Sequence, residues 1–565
     1  MVKNFILNQI DVLKGIKNKT AIISVCAVLL FFFLNAFKIT LFNFYIIPTQ
    51  TAEAFKYKLT MSILLVLIIY PVILSIRSKI VFIALYILQT VYILANISYY
   101  LYYHSYLNIL QWFALFNEGF LAVKNFSAPM SAKMLVAFID LPVFLFIAIK
   151  YSNIYNVKKK LHFYRLATIA ISLLIIVHSQ VSIHAKGNFI TTLMKDKYKG
   201  ESPIVQWYGT VANNIASLFL AGNESQLISC FKYGNDLAND KDSGDKPNFV
   251  IIQVESMDSS VISTKYKDTH IAPYLNSLAE ENIFYPYVMS YHKGGATSDC
   301  EFSIINSIET LDGFPAIKLT SYQYPNSMLK MLSNSSYKNV AFHGNTGVFF
   351  NRDSAFPKMG FDEFYDMKNM GLKHAGWGAP DKEVFNFAAK TIKKLEQPYL
   401  AYIITMTSHG PFVNARNYYN NSMYDDIQNE TVRNYFNSMS YVDESINSFV
   451  TDIRANCKNT YIFIIGDHTP SINTSTYKQA SFTMDGRYFE FVPLIIITPD
   501  NKKYKEDKRV ASFLDISPTI LYSSGVPFDI KSDGQDLINP AESFNKIPFK
   551  GDEFDRTYLF NVIKD

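Results

Sequence analysis

The chain has 565 residues, of which 49% are apolar and 15% aromatic, so it has room for two or three domains and is more apolar than a typical soluble enzyme. Its net charge of +5 is small for this length and argues neither for nor against nucleic acid, because its only block of basic residues is the loop 158–160. We expect no nucleic-acid partner. The four cysteines are far apart and form no CxxC pair, which argues against a zinc knuckle or a dense disulfide framework.

The N-terminal third of the chain carries the long apolar stretches. A helix needs about 20 apolar residues to cross a bilayer. Five stretches meet or approach this length: 20–47, 59–76, 80–103, 134–150 and 164–183. The fourth is the shortest and contains Asp140 and Pro142, which leaves an interfacial or re-entrant helix as its alternative. We therefore predict five transmembrane spans.

The distribution of positive charge predicts the orientation of these spans. Eleven Lys and Arg residues flank one side of the five spans, whereas the short loops on the other side carry four Lys residues. Because loops that stay in the cytoplasm are enriched in Lys and Arg, we expect a cytoplasmic N-terminus in the cell membrane. An odd number of spans then places the residues after about 183 outside the cytoplasm.

Four domains or segments follow from these patterns. We expect a five-helix transmembrane domain at 1–183 and a linker with juxtamembrane helices at 184–245, which ends in a Gly-, Asp- and Lys-rich stretch. A catalytic domain at 246–545 and a C-terminal tail at 546–565 complete the chain.

Beyond residue 246 the pattern is that of an α/β domain. Short apolar runs at 249–254, 399–404, 461–465 and 492–497 suit buried strands in a sheet covered by helices on both faces. Polar residues stand where three of these runs end: Glu255 after the first, His409 after the second, and Asp467 and His468 after the third. Ligands of such sheets bind beyond the carboxyl ends of the strands.

The acidic residues and the histidine at these ends predict a metal site. Asp467 and His468 alone suit a turn or a surface pair, but Glu255 at a neighbouring strand end favours a shared cation. Carboxylate and imidazole together suit manganese, magnesium or zinc.

A candidate nucleophile follows a glycine pair. Gly294 and Gly295 precede Thr297 and Ser298, which open a helical pattern that runs to about residue 308. Glycines let the backbone approach a phosphate, and helix N-terminal amides favour an anion. The alternative is that Thr297 or Ser298 is a plain helix N-cap. A threonine hydroxyl bound to a metal ion would ionise more easily and become a nucleophile.

Six motifs in this order resemble the lipoteichoic acid synthase family, which belongs to the alkaline phosphatase and sulfatase superfamily. The motifs are FVIIQVES (249–256), GGATSD (294–299), FHGN (342–345), FNRD (350–353), SHGPF (408–412) and GDHTP (466–470). The resemblance covers nearly the whole chain, and it implies five N-terminal transmembrane helices followed by a sulfatase-like α/β/α sandwich outside the cytoplasm.

The resemblance also implies the roles of the site residues. Glu255, Thr297, Asp467 and His468 would bind one manganese ion, or magnesium, with Thr297 as the nucleophile. Arg352 and His409 would hold the phosphate and its glycerol, and His409 suits proton transfer. Further candidates for substrate contacts are Phe350, His343 and Asn345; of these, His343 is equally compatible with simple packing.

The implied reaction moves sn-glycerol-1-phosphate from phosphatidylglycerol to an acceptor through a phosphothreonine intermediate and releases diacylglycerol. The acceptor is a polyglycerolphosphate chain, a glycolipid primer or a glucan. Polymerising family members tend to have Lys, Asp and Trp where this chain has Ala296, Asn345 and Phe350, so headgroup transfer is the firmer expectation. The alternatives are a phosphoethanolamine transferase, a phosphodiesterase or sulfatase-like hydrolase, and a transporter or scaffold with an inactive domain.

Overall fold

A computed structural model of the chain describes residues 19–46, 78–103, 132–150, 224–291, 295–311, 314–484, 487–503, 508–541, 545–549 and 552–564, with a few isolated positions between them. The chain divides into two compact units. The first comprises Met1–Ile109 and Ala128–Leu220, and the second comprises Leu110–Ser127 and Ala221–Asp565.

The first unit contains long apolar helices. They are α1 (Lys19–Ile46), α2 (Lys79–Tyr103) and a 3-10 helix (Ala132–Phe138) that continues into α3 (Leu141–Ile149). In the described part of the chain, three segments are long and apolar enough to cross a membrane: Cys26–Tyr45, Lys79–Ser98 and Ala132–Ile149. These segments correspond to the first, third and fourth predicted spans. The second span, apart from a few positions, and the fifth lie outside the described residues, so the count of five stays a prediction.

Asp140 lies where the 3-10 helix passes into α3, and it is the centre of a buried polar cluster. Its carboxylate accepts hydrogen bonds from Lys38 Nζ at 2.8 Å, from Tyr86 Oη at 2.8 Å and from Asn35 Nδ2 at 2.6 Å. The side chains of Lys38 and Asp140 are fully buried. A charge inside an apolar helical bundle needs a partner of opposite charge. The ion pair links α1 to the start of α3, and the hydrogen bond from Tyr86 links α2 to the same carboxylate.

The second unit is an α/β domain. Its helices are α4 (Glu224–Ile228), α5 (Ser260–Ser263), α6 (Pro273–Glu281), α7 (Thr297–Asn306), α8 (Met328–Ser333), α9 (Arg352–Met359), α10 (Asp381–Ile392), α11 (Glu430–Asn456), α12 (Ile516–Ser524) and α13 (Arg556–Lys564). Its strands are β1 (Asn235–Asn239), β2 (Asn248–Val254), β3 (Lys265–Tyr266), β4 (Thr269–His270), β5 (Ile283–Met289), β6 (Lys338–His343), β7 (Glu363–Tyr365), β8 (Tyr399–Ile404), β9 (Thr460–Gly466), β10 (Ser481–Met484), β11 (Arg487–Ile497), β12 (Ala511–Ser512), β13 (Phe528–Ser532), β14 (Lys546–Phe549) and β15 (Asp552–Asp555).

Nine of the described strands form one sheet in the order β12-β5-β11-β9-β2-β8-β6-β7, with β10 added beside β11. The central strands β9, β2, β8 and β6 run parallel, and β11 is antiparallel to β9 and β5. All four predicted strands are present as β2, β8, β9 and β11. Every residue of β2 is buried, as expected for a strand that is covered on both faces. The core on one face contains side chains of β2, β8 and β9 together with α6, α10 and α11.

The second unit extends beyond the catalytic domain predicted at 246–545. Residues 235–239, predicted to be solvated linker, form β1 and pair antiparallel with β13. In the predicted tail, Arg556 at the start of α13 is fully buried and donates from both Nη atoms to the Asp515 carboxylate, at 2.8 and 2.9 Å. The structure therefore differs from both predicted boundaries, because strand pairing and a buried ion pair hold these polar segments on the domain.

Candidate active site

The carboxyl ends of parallel strands β2 and β9 bring the predicted metal ligands together. Val254 lies opposite Gly466 in the sheet, so the next residues, Glu255 and Asp467, emerge side by side. Glu255, Asp467 and His468 are all buried, and each offers a ligand atom within 4.8 Å of the others. The sequence prediction that these three side chains meet at one edge of the sheet agrees with this geometry.

Hydrogen bonds fix the three side chains in place. Asp467 Oδ1 accepts from the backbone N–H groups of Ser256 at 2.8 Å and of His468 at 2.7 Å. Ser256 Oγ donates to Glu255 Oε1 at 2.9 Å. The His468 ring donates from Nδ1 to the Thr469 carbonyl at 2.9 Å, which directs Nε2 towards Glu255 Oε1 at 3.3 Å.

The donor set of this cluster fits a divalent cation. Asp467 Oδ2 is buried and has no hydrogen-bond partner among the described residues. Buried polar atoms are normally hydrogen-bonded, so this oxygen lacks a partner that a cation could supply. Two carboxylates and one imidazole nitrogen, each held by a neighbouring group, are the ligands that such a cation prefers.

The pKa values of the cluster also favour a bound cation. Burial and the negative charge of Glu255 raise the pKa of Asp467 to about 8. Burial alone would lower the pKa of His468, but the charges of Asp467 and Glu255 raise it to about 10. Burial opposes the ionisation of Glu255, yet the charges of His409 and His468 hold its pKa well below the usual range. The cluster thus holds positive charge strongly, as protons or as a metal ion.

Thr297 is the first residue of α7, and its hydroxyl faces this cluster. Its Oγ1 donates to Glu255 Oε2 at 2.9 Å, and Gln253 Nε2 donates to its carbonyl at 3.1 Å. The helix N-cap is Ala296, so the alternative in which Thr297 or Ser298 is the cap is wrong. Ala296 has φ 45° and ψ −115°, a conformation that costs a non-glycine residue energy.

Gly295 is required by close packing at this turn. A Cβ atom at this position would lie 2.4 Å from Ser298 Oγ and 2.5 Å from Asp299 Oδ1. The Gly295 N–H donates to Asp299 Oδ2 at 2.9 Å, which closes the turn in front of α7. Gly294 lies outside the described residues.

Arg352, at the start of α9, is 1% exposed and forms an ion pair with Glu301. Arg352 Nε donates to Glu301 Oε2 at 3.0 Å, Nη2 donates to Oε1, and Nη1 donates to the Phe349 carbonyl at 3.2 Å. Burial raises the pKa of Glu301 despite the neighbouring guanidinium. The Nε and Nη2 edge of Arg352 is thus occupied by Glu301, and only the remaining Nη protons can face a phosphate.

The role of Glu301 was not predicted from the sequence. It lies four residues after Thr297 in α7, and residues at this spacing share one face of a helix. One helix therefore carries both the candidate nucleophile and the partner of Arg352. The four-residue spacing was the only sequence signal for this role.

The other residues predicted to contact the substrate make contacts with neighbouring residues of the chain itself. Phe350 is buried, with Arg352 and Lys318 each 5.6 Å from its ring centre. His343 is buried, and burial together with the charge of Arg352 holds its pKa well below the usual range. Asn345 Oδ1 accepts from the backbone N–H of the next residue at 2.8 Å. These contacts leave the substrate roles of the three residues as predictions.

His409 follows β8 and is half-buried. Its Nδ1 lies 2.7 Å from the Gly410 carbonyl oxygen. Its charge contributes to the low pKa of Glu255, so it belongs to the electrostatic environment of the cluster. The structure therefore brings Glu255, Thr297, Asp467 and His468 together at the carboxyl end of the sheet. The charge of His409 acts on Glu255, and Arg352 is held by Glu301 on the helix that begins with Thr297.

Comparison with known proteins assigns this region to a family. Residues 247–526 match the model of the sulfatase family. These residues are a sulfatase-family domain. The predicted resemblance is confirmed at this level, as is the sulfatase-like α/β fold of the second unit.

Two curated relatives of the chain carry a more specific name. Lipoteichoic acid synthase 2 of Bacillus subtilis is 26% identical over 506 residues, which cover 84% of this chain and 76% of the relative. The lipoteichoic acid synthase of Staphylococcus saprophyticus is 28% identical over 389 residues, and the match covers 63% of this chain and 58% of that relative. Among solved structures, a lipoteichoic acid synthase from Listeria monocytogenes is 21% identical with a TM-score of 0.49, over 57% of this chain and 93% of that one.

Proposed function

We propose that this chain is a phosphoglycerol transferase that uses Thr297 as its nucleophile. The observation that carries the proposal is the Thr297 hydroxyl, hydrogen-bonded to Glu255 within a buried group of carboxylate and imidazole ligands. The similarity to proteins named lipoteichoic acid synthase supports transfer of glycerophosphate in general. The donor that we propose is phosphatidylglycerol.

Glu255, Asp467, His468 and the Thr297 hydroxyl would hold the cation, for which we propose manganese, with magnesium as the alternative. When bound, this ion would lower the pKa of the hydroxyl and neutralise charge on the phosphate. Arg352 adds positive charge through its free Nη protons, while Glu301 keeps the guanidinium oriented.

The reaction proceeds in two displacements at phosphorus. In the first, the Thr297 oxygen bonds to phosphorus and its hydroxyl proton passes to water. The bond from phosphorus to the diacylglycerol oxygen breaks, and this oxygen takes a proton from His409 Nε2. In the second, an acceptor hydroxyl gives its proton to His409 Nε2 and attacks the same phosphorus, and the Thr297 oxygen leaves and regains a proton. Two displacements give net retention of configuration at phosphorus.

The acceptor follows from the same proposal. A hydroxyl of a polyglycerolphosphate chain, a glycolipid primer or a glucan would serve in the second step. The apolar helices of the first unit would anchor the enzyme in the cell membrane, and with five spans the catalytic domain lies outside the cytoplasm. Labelling of an introduced surface cysteine in this domain by a membrane-impermeant reagent, on intact cells, tests the orientation. Protection of that cysteine would show that the topology is inverted.

The covalent step is tested by trapping the intermediate. We would incubate the purified chain with phosphatidylglycerol and manganese, quench it in acid, and examine the tryptic peptide that contains Thr297 by mass spectrometry. We expect a glycerophosphate adduct on Thr297 in the wild type and no adduct or diacylglycerol release in Thr297→Ala. The matched control is Ser298→Ala, which removes the neighbouring hydroxyl that donates to the Gly295 carbonyl.

Each other outcome identifies a different reaction. Normal diacylglycerol release by Thr297→Ala would show direct attack by the acceptor. An adduct with the mass of phosphoethanolamine, formed from the corresponding lipid, would identify the phosphoethanolamine transferase alternative. Free glycerophosphate as the sole product in the presence of acceptors would identify a hydrolase. The absence of turnover with each donor would favour a scaffold or transporter.

A further inference from the structure

The backbone carbonyl of Gly410 receives two hydrogen bonds beside the candidate active site. His409 Nδ1 lies 2.7 Å from this oxygen, and Trp377 Nε1 donates to it at 3.1 Å. The rings of Trp377 and His409 also touch, with centroids 4.8 Å apart and planes at 63°. Trp377 is therefore linked to His409 both through a shared oxygen and by direct ring contact.

The shared oxygen determines the protonation pattern of the imidazole. A carbonyl oxygen only accepts hydrogen bonds, so His409 Nδ1 must carry its proton. In the neutral ring, Nε2 is then the nitrogen with the free lone pair, and it is the atom that can exchange protons with a substrate. The indole N–H fills a second lone-pair site of the same oxygen, which restrains the carbonyl that selects this tautomer.

We propose that Trp377 is a positioning residue for His409: its indole N–H holds the Gly410 carbonyl, and the carbonyl keeps the His409 ring in the tautomer and orientation that direct Nε2 at the reacting phosphoryl group. The proposal rests on the proposed function, in which His409 moves the proton. Trp377 acts through His409 and contributes no chemistry of its own.

Trp377 is itself held firmly enough for this role. Its backbone N–H donates to Asn414 Oδ1 at 3.0 Å. The residue before it, Gly376, has φ 107°, and a Cβ there would lie 2.2 Å from the same Asn414 oxygen, so only glycine allows the approach. Phe349 packs edge-on against the indole ring, with centroids 6.1 Å apart.

The same segment of chain also fixes the other end of the His409 loop. The carboxylate of Asp381, four residues after Trp377, accepts from the backbone N–H groups of Met406 at 2.7 Å and of Thr407 at 3.1 Å. The loop 406–410 is thus held at its start by Asp381 and at its end by Trp377. A loop restrained at both ends places the imidazole with little residual freedom.

The test is a double-mutant cycle on the full chain, with diacylglycerol release as the assay. Trp377→Phe keeps an aromatic ring for packing and removes only the N–H donor. We expect kcat to fall roughly two- to ten-fold with KM little changed, the range for loss of one hydrogen bond. In the His409→Ala background, Trp377→Phe should have no further effect, because the residue through which it acts is gone. An equal loss in both backgrounds would overturn the proposal and place Trp377 on the substrate or in the fold alone.

A measurement of the His409 tautomer tests the positioning role of Trp377 independently of the proposed enzyme activity. The chain has ten histidines, so solid-state NMR of the ¹⁵N-histidine-labelled protein in bilayers is practical, with His409→Asn to assign the signal by difference. For the neutral His409 ring, we expect the Nδ1–H tautomer in the wild type and a mixture of tautomers in Trp377→Phe. A wild-type tautomer pattern in Trp377→Phe would overturn the positioning role whatever the enzyme activity is. If the tautomer shifts but His409→Ala retains full activity, the proton-transfer role in the proposed function fails and the positioning contact stands.

Discussion

Replacing Glu301 is a strong test of how this active site is assembled. Glu301→Ala leaves the Arg352 guanidinium buried without its carboxylate, in a pair whose side chains are 0% and 1% exposed. Removing one partner of a buried ion pair costs about 3–5 kcal/mol of folding free energy, because the remaining charge is desolvated and unpaired. Glu301→Gln retains one oxygen acceptor for Arg352 and should cost less, about 1.5–3 kcal/mol, the value of a hydrogen bond to a charged group.

The control is an ion pair on the surface whose charged atoms are also in hydrogen-bond contact. Lys393 Nζ lies 2.8 Å from Asp452 Oδ2, but the two side chains are 34% and 36% exposed. Because solvent screens this pair, Asp452→Asn should change stability by about 0–1 kcal/mol. Glu301→Gln and Asp452→Asn therefore make the same carboxylate-to-amide change, one in a buried ion pair and one in an exposed pair.

Stability would be measured on the purified full chain in detergent, by near-UV circular dichroism in increasing urea. The same variants would be assayed for diacylglycerol release, where Glu301→Gln should raise KM because Arg352 is no longer held in one orientation. The reasoning fails if Glu301→Ala unfolds at the same urea concentration as Asp452→Asn and keeps the wild-type KM. In that case Arg352 would be oriented by other contacts.

Three further predictions concern the metal cluster, the turn before Thr297 and a buried carboxyl group. Glu255→Gln and Asp467→Asn should abolish manganese binding while the circular dichroism spectrum is kept, and stoichiometric metal in both variants by elemental analysis would contradict the site. Ala296→Gly should stabilise the domain by about 1 kcal/mol, since glycine adopts positive φ freely, but slow diacylglycerol release; an unchanged melting temperature would exclude strain at this turn. Burial raises the pKa of Asp258 to about 7, so the folded chain binds this proton more tightly than the unfolded chain. The free energy of unfolding should therefore decrease as the pH rises from about 4 to about 7, by up to about 1.4 kcal/mol per pH unit. Asp258→Asn should remove that part of the fall, and parallel pH profiles of the melting temperature in wild type and variant would contradict the assignment.

The central sheet and the cluster of candidate metal ligands could be predicted from the sequence because both leave local patterns in it. The strands β2 and β8 are buried throughout, and β9 is buried except at half-buried Tyr461. Polar surface segments do not show such largely apolar runs. Parallel strands end at one edge of a sheet, so Glu255, Asp467 and His468 could be placed together without coordinates. The one assumption needed was that β2 and β9 are neighbours.

Contacts between segments that are distant in the sequence could not be predicted from it. Three of the five residues of β1 are polar and three are exposed, and the pairing of β1 with β13 joins positions almost 300 residues apart, so the composition of this segment indicated a linker. Arg352 was singled out, but its pairing with Glu301 depends on how α7 packs beside α9. Trp377 lies in a loop without periodicity, and its hydrogen bond to Gly410 follows from the turn at Gly376.

The ion pair between Lys38 and Asp140 imposes an order on the biosynthesis of the first unit. The two residues are 102 positions apart, so at about 5–20 residues per second a ribosome reaches Asp140 some 5–20 s after Lys38. If α1 spans the membrane as proposed, it carries an unmatched lysine during that interval, at a cost of about 2.5–3.5 kcal/mol for a position near the centre of a bilayer. The favourable transfer of the apolar residues of α1 into the bilayer must exceed this cost for the helix to insert. The arrival of Asp140 then supplies the carboxylate that Lys38 lacks until that point, and the ion pair can form.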